Sequence, residues 1–188
     1  MVPLSALLVP IVVAAVLVHL ASAVVHMVLQ WHRSDYQRLP DEESVRTALR
    51  KSPPAPGQYM FPYHADMKEF KTPEYQKKFE EGPVGMLTMR PSGKYSMTAP
   101  LVQWFLVCIL ISVFAAYVAG AALPPGTDYL KVFQVAGTVA FAGYGLGTLS
   151  QSVWMGKPWS STIKDLADAL LYGCLTGGAM GWRWPHAM

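Results

Sequence analysis

Residues 99–123, Ala-Pro-Leu-Val-Gln-Trp-Phe-Leu-Val-Cys-Ile-Leu-Ile-Ser-Val-Phe-Ala-Ala-Tyr-Val-Ala-Gly-Ala-Ala-Leu, contain no Asp, Glu, Lys, Arg or His over 25 positions. About 18 or more consecutive apolar residues is long enough for a helix to cross the hydrocarbon core of a bilayer. The run ends at Pro124-Pro125-Gly126, a turn signal. Three more stretches follow the same rule. A first span is expected from about Leu4 to Trp31, with Pro3 and Pro10 near its start, where proline harms a helix least. A third is expected from Tyr129 to Trp154, before Gly156-Lys157-Pro158, and a fourth from Ser161 to Trp182, closed by Pro185. The short links among the last three helices predict antiparallel neighbours.

The rest of the composition agrees. Only 14% of the 188 residues are charged, against about 25% in soluble domains. Of the 27 Asp, Glu, Lys and Arg residues, 20 fall between Arg33 and Lys94. Acidic and basic residues interleave there, so the net charge of +3 is no nucleic-acid signal. Cys108 and Cys174 both fall in apolar runs and read as packing residues, without metal spacing or a disulfide framework. Ala21-Ser22-Ala23 resembles a signal-peptidase site, but no Lys or Arg precedes the apolar run, so the first segment is expected to stay as a span.

The expected fold is an all-α integral membrane protein with four transmembrane helices and a small α+β cytoplasmic cap. Its parts are residues 1–31 as the first span, 32–98 as the cap and 99–184 as the remaining three. Lys and Arg are retained on the cytoplasmic side of spans. Arg33, Arg38, Arg90, Lys94 and Lys157 mark that side, and only Lys131 and Arg183 oppose them. The N- and C-termini are therefore expected outside. Trp31, Trp104, Trp154 and Trp159 fit an inner aromatic belt, and Trp182 and Trp184 an outer one.

Within the cap, Pro40-Asp41-Glu42-Glu43 starts a helix that ends in Arg50 and Lys51, a charge order that suits the helix dipole. A second helix is expected from Pro73 to Glu81, capped by Thr72 and stopped by Gly82. Gln58–Phe61 and Val84–Met89 read as flanking strands. Eight aromatic residues in this segment argue against a disordered loop.

Two features inside the spans bear on function. Gly173, Gly177 and Gly181 recur every four residues, and Gly143 and Gly147 repeat the pattern on the third span. Such faces let helix backbones approach closely, either within one chain or between protomers. The Gly143–Gly147 run resembles a nucleotide loop only in spelling, because it lacks the strand-to-helix setting and the Lys.

Ionisable groups in a membrane are costly and mark function. His26, Lys164, Asp165 and Asp168 fall at similar predicted depths, and a polar cluster of these four is expected between the first and fourth helices. The plainer alternative is a snorkelling Lys164 beside acidic residues at a helix start. No metal and no cofactor are expected. His19 and His26 lie about 10 Å apart along one helix, so they cannot share an iron. His32, His64 and Asp66 lack ligand spacing.

Leu39-Pro40-Asp41-Glu42-Glu43, Gln58-Tyr59-Met60-Phe61-Pro62, Ala122-Leu123-Pro124-Pro125-Gly126 and Gly156-Lys157-Pro158-Trp159-Ser160 resemble runs in a group of small, uncharacterised bacterial inner-membrane proteins. The resemblance implies a bacterial membrane setting and adds no catalytic residue. The sequence thus predicts a non-enzymatic membrane protein that meets lipid and assembles as a homo-oligomer or as an accessory subunit of a membrane complex. The alternatives are a small oligomeric ion channel or transporter that uses Asp165 and Asp168, and an interfacial enzyme acting on lipid.

Overall fold

The computed structural model describes residues 1–186. The chain divides into two units, residues 1–36 with 96–188, and residues 37–95. The first holds the long helices. A continuous helical stretch covers Leu4–Leu29, with regular α-helix α1 at Leu8–Ala23. After the second unit come α5 (Thr98–Ala122), α6 (Tyr129–Gly145), α7 (Leu149–Met155) and α8 (Trp159–Trp182). A single 3-10 turn, Leu146–Thr148, joins α6 to α7.

Three of these stretches are long and apolar enough to cross a membrane: Leu4–Leu29, Thr98–Ala122 and Tyr129–Met155. That property points to membrane association. α8 is as long, but Lys164, Asp165 and Asp168 keep its composition from carrying the same reading. Helix α1 packs against α5 and α8, and α6 against α5 and α8. The shared core is small-residued: Ala14, Ala115, Ala119, Ala136, Ala140 and Ala179 are all buried. Small side chains allow close backbones, which is how helices gain contact where lipid is as apolar as protein.

The turns form where glycine and proline demand them. Gly126 (φ 78°) and Gly156 (φ 71°) adopt left-handed backbone after α5 and α7, a conformation that glycine reaches without a Cβ clash. The far end is tied by backbone bonds, Val2 N–H to the Gly120 carbonyl and Gly126 N–H to the Pro185 carbonyl, both 2.8 Å. Trp184, expected in an outer belt, lies at this end beside the α5–α6 turn. It is buried against the core, and its indole N–H donates to the Pro124 carbonyl at 3.0 Å. Burying an indole requires such an acceptor.

The second unit follows the chain order α2 (Glu42–Lys51), β1 (Gly57–Phe61), α3 (Met67–Phe70), α4 (Pro73–Glu81) and β2 (Gly85–Met89). The Asp41 carboxylate caps α2 through the Ser44 N–H. The Thr72 hydroxyl accepts from the Tyr75 N–H at the start of α4, and Pro73 occupies the first turn. The strands pair antiparallel, with Tyr59 opposite Leu87 and Phe61 opposite Gly85. Helix α3 is an element the sequence reading leaves out; Asp66 caps it by accepting from the Lys68 and Glu69 N–H groups. Tyr75 is the one buried side chain of the unit, and its hydroxyl meets His64 Nδ1 at 3.1 Å and the Pro62 carbonyl at 3.3 Å. So thin a core suits a segment near the roughly 60-residue limit of independent stability.

Candidate functional site: a histidine–carboxylate–lysine network

The site arises where the first apolar helix ends. Regular α-helix gives way to a π-helical segment, Val24–Leu29, and then to Gln30 in left-handed backbone (φ 51°). Residues Trp31–Asp35 then form a 3-10 turn. On an uninterrupted helix, residues six apart lie about 120° apart around the axis. The break instead brings His32 back beside His26, with ring centroids 4.7 Å apart. Wide π turns of this kind recur at functional sites.

His32 sits between two carboxylates. Its Nδ1 is 2.7 Å from Asp35 Oδ2, and its Nε2 is 2.8 Å from Asp168 Oδ2 on α8. The ring thus links the turn after the first helix to α8 through two carboxylates. His26 Nε2 is 3.7 Å from the same Asp168 oxygen. Lys164 completes the network: its three donors reach Asp35 Oδ1 (2.6 Å), the Ser34 hydroxyl (2.7 Å) and the Trp31 carbonyl (2.9 Å). Asp35 is thereby shared by Lys164 and His32, and partly buried charge is tolerated when it is paired and hydrogen-bonded.

Asp35 lies beyond the apolar stretch. Burial alone would push its carboxyl up, but hydrogen bonds from Lys164, His32 and Ser161, and the Lys164 charge, outweigh it and hold the group at about 2. Asp168 is buried, and its second oxygen, Oδ1, has no hydrogen-bond partner among the described residues. On the same face of α8, Tyr172 and Thr176 follow at intervals of four, buried, with hydroxyls that also lack a protein partner. The Tyr144 hydroxyl on α6 and the Ser112 hydroxyl on α5 are in the same condition. The Tyr144 and Tyr172 rings meet edge to face at 5.4 Å.

Of the four cluster residues read from the sequence, the structure brings His26, Asp168 and Lys164 into one network, the last through Asp35. Asp165 stands apart from it and pairs with Lys157 across the α7–α8 turn. His32 and Asp35 are the members that sequence reasoning missed. Their spacing of three residues was the available signal, but nothing in the chain announces Asp168, 136 positions away, as the shared partner. The expectation of no metal ligands rested on spacing along the chain. The structure places one donor atom each from His26, His32 and Asp168 within 4.8 Å of one another. His19 takes no part and lies edge-on to Phe105 at 5.5 Å.

The glycines fall mostly between helices of the one chain. A Cβ on Gly173 would meet the Gly137 carbonyl of α6 at 2.9 Å, one on Gly177 the Phe133 carbonyl at 2.7 Å, and one on Gly181 the Tyr129 ring at 2.6 Å. Gly143 faces Ile111 of α5, and a Cβ on Gly147 would meet nothing within 4 Å among the described residues. A shallow groove of about 230 Å³ remains on the outer side of the α6–α8 contact, lined by Gly137, Gly173, Gln134, Thr138, Phe141 and Cys174 among others.

No model of a known protein family, no curated protein and no solved structure matches this chain. Fold and site together define a helical protein with three helices apolar enough to cross a membrane and a histidine–carboxylate–lysine network joining the end of the first of them to α8.

Proposed function

We propose that the chain is a non-enzymatic, multi-pass protein of a bacterial inner membrane, a four-helix bundle that works in assembled form, with a second copy of itself against the α6–α8 face. In this reading α8 is the fourth span. Its 24 residues reach about 36 Å at 1.5 Å each. Its three charged residues all find partners inside the chain, which lowers the penalty of placing them at membrane depth. The distribution of Lys and Arg supports an inside location for residues 37–95 and an outside location for both termini.

One observation carries the assembly claim. Gln134 and Thr138 are exposed on an apolar helix, one turn apart, on the rim of a groove floored by Gly137 and Gly173. Small residues that admit a neighbouring backbone and polar side chains that bond across helices are the two devices of helix association in lipid. Glutamine both donates and accepts, so a two-fold contact satisfies it with its own copy. Cys174 lines the groove and is exposed, whereas Cys108 is fully buried. Oxidation of native membranes with a membrane-permeant catalyst is therefore expected to give a covalent dimer through Cys174. Cys174→Ser should abolish it and Gln134→Ala should reduce it severalfold. A monomeric mass in native nanodiscs, with no cross-link, defeats the self-assembly claim. Stoichiometric recovery of a different membrane protein replaces it with an accessory-subunit role.

A second reading is favoured by the unpartnered hydroxyls. A ring of Asp165 and Asp168 around an axis between subunits draws no support, since Asp168 is buried within the chain and Asp165 is paired. A proton path inside one chain draws support from the run Asp168–Tyr172–Thr176. Unsatisfied buried hydroxyls each cost about 1–3 kcal/mol, and water files relieve that cost. Liposomes holding the purified protein, driven by a potassium diffusion potential, are expected to acidify, and Asp168→Asn to stop the flux. Wild-type liposomes as tight as empty ones end this reading.

A further inference from the structure

We propose that His26, His32 and Asp168 form a binding site for one divalent transition-metal ion of the zinc class, with Asp35 and Lys164 as its supporting shell. The donor set is two imidazoles and one carboxylate, the ligand types that suit zinc and its neighbours rather than calcium or magnesium. A tetrahedral ion bonded at about 2.0–2.2 Å holds its ligand atoms roughly 3.3 Å apart. The existing separations straddle that value: 2.8 Å from His32 Nε2 to Asp168 Oδ2 and 3.7 Å from His26 Nε2 to the same oxygen. Closing the triangle needs each of these contacts to change by about half an ångström and the two imidazole donors, now within 4.8 Å of each other, to converge on the ion.

Three independent features support the triad. The first is orientation. A ligating histidine almost always passes its other N–H to a carboxylate, which fixes the tautomer and strengthens the donor. His32 does this already, through Nδ1 to Asp35, and Asp35 is fixed in turn by Lys164. The second is the unpartnered Asp168 Oδ1, on a side chain that is 94% buried by its 6% exposure. A second ligand bond from this carboxylate would satisfy it. The third is access. The His26 side chain is about half exposed, and it lines a groove of about 290 Å³ with Met27, Met97 and Trp104. The ring has room to adjust there, and an ion can enter from that side.

The proposal concerns one chain and stands apart from how the protein assembles. Full-length protein carrying a tag without histidine is stripped with chelator and titrated with Zn²⁺, and with Co²⁺ as a spectroscopic probe. One ion per chain and intense visible Co²⁺ bands of a low-coordinate N/O site are expected. His26→Ala removes a half-exposed ligand without opening a buried hole. It should weaken Zn²⁺ binding at least tenfold while leaving the helical spectrum intact. Asp35→Asn is expected to weaken binding about 10–100-fold as a positioning change, without removing a ligand. His64→Ala, in the other unit and bonded to Tyr75, should bind as the wild type does. Failure of the wild type to bind one equivalent at micromolar Zn²⁺, or unchanged binding by His26→Ala, overturns the site.

Discussion

Gly177→Leu is expected to prevent α6 and α8 from closing, and the chain should fail to accumulate as folded protein in the membrane. The reason is geometric. A Cβ at residue 177 stands 2.7 Å from the Phe133 carbonyl and 3.1 Å from Gly137 Cα, both backbone atoms of α6. Backbone cannot turn aside as a flexible side chain does, so the helices must part along a contact built on close approach. Gly177→Ala adds only a methyl group and is expected to cost about 2–3 kcal/mol, in the upper range for overpacked sites. The larger side chain exceeds this. Thermal unfolding in detergent, read by circular dichroism, measures the alanine variant; membrane yield measures the leucine variant. Gly147→Ala is the control. Among the described residues nothing lies within 4 Å of its Cβ position, so its stability should match the wild type within about 0.5 kcal/mol. Equal loss from both alanine variants would show that the α6–α8 packing is not the cause.

Asp35→Ala has the second largest expected effect. The Asp35 carboxylate accepts from Lys164 at 2.6 Å and from His32 at 2.7 Å, so one substitution removes the link between the turn after the first helix and α8. Breaking a buried pair by removing one partner costs about 3–5 kcal/mol. Lys164 keeps Ser34 and the Trp31 carbonyl, and His32 keeps Asp168, so a loss of about 2 kcal/mol is expected. The pH dependence follows from the same bonds. The folded Asp35 carboxyl titrates near 2, below its ordinary value of 3.8. The unfolded chain binds this proton first as pH falls. The stabilisation is thus fully present above about pH 4 and is lost as pH drops toward 2. Stability measured from pH 6 to pH 2 should fall more steeply for the wild type than for Asp35→Asn. Parallel curves would remove Asp35 from the account.

The same two regions separate what the chain spells from what it does not. The apolar runs are legible because lipid leaves a backbone few options: a long segment without charge must satisfy its own N–H and C=O groups, and a helix does so. The cap elements are legible because their signals are local. Thr72, Pro73 and Gly82 bound α4 through a hydroxyl cap, a preset φ and a left-handed end, all within ten residues. The fourth helix is legible as a helix, and the sequence reading takes it as a span; in the structure its three charges keep it out of the set of helices apolar enough for that reading.

The network was half legible. His26, Lys164 and Asp168 stand out in sequence because ionisable groups in apolar runs are rare. His32 does not, because its place beside His26 depends on a π turn and on Gln30 in left-handed backbone, a conformation that no residue type there demands. Asp165 looks equivalent to Asp168 on paper, and a three-residue difference in helix phase sends one to Lys157 and the other to the histidines. The glycine repeat announces close packing but not against what; Phe133, Gly137 and Tyr129 answer that from another helix. What the sequence determined by itself is therefore local and periodic: long apolar helices, a capped α+β segment, and the residues too polar for their surroundings. The tertiary structure alone decided which of those polar residues meet, because a contact across 136 positions depends on the rotation and register of two helices, and no local propensity sets either.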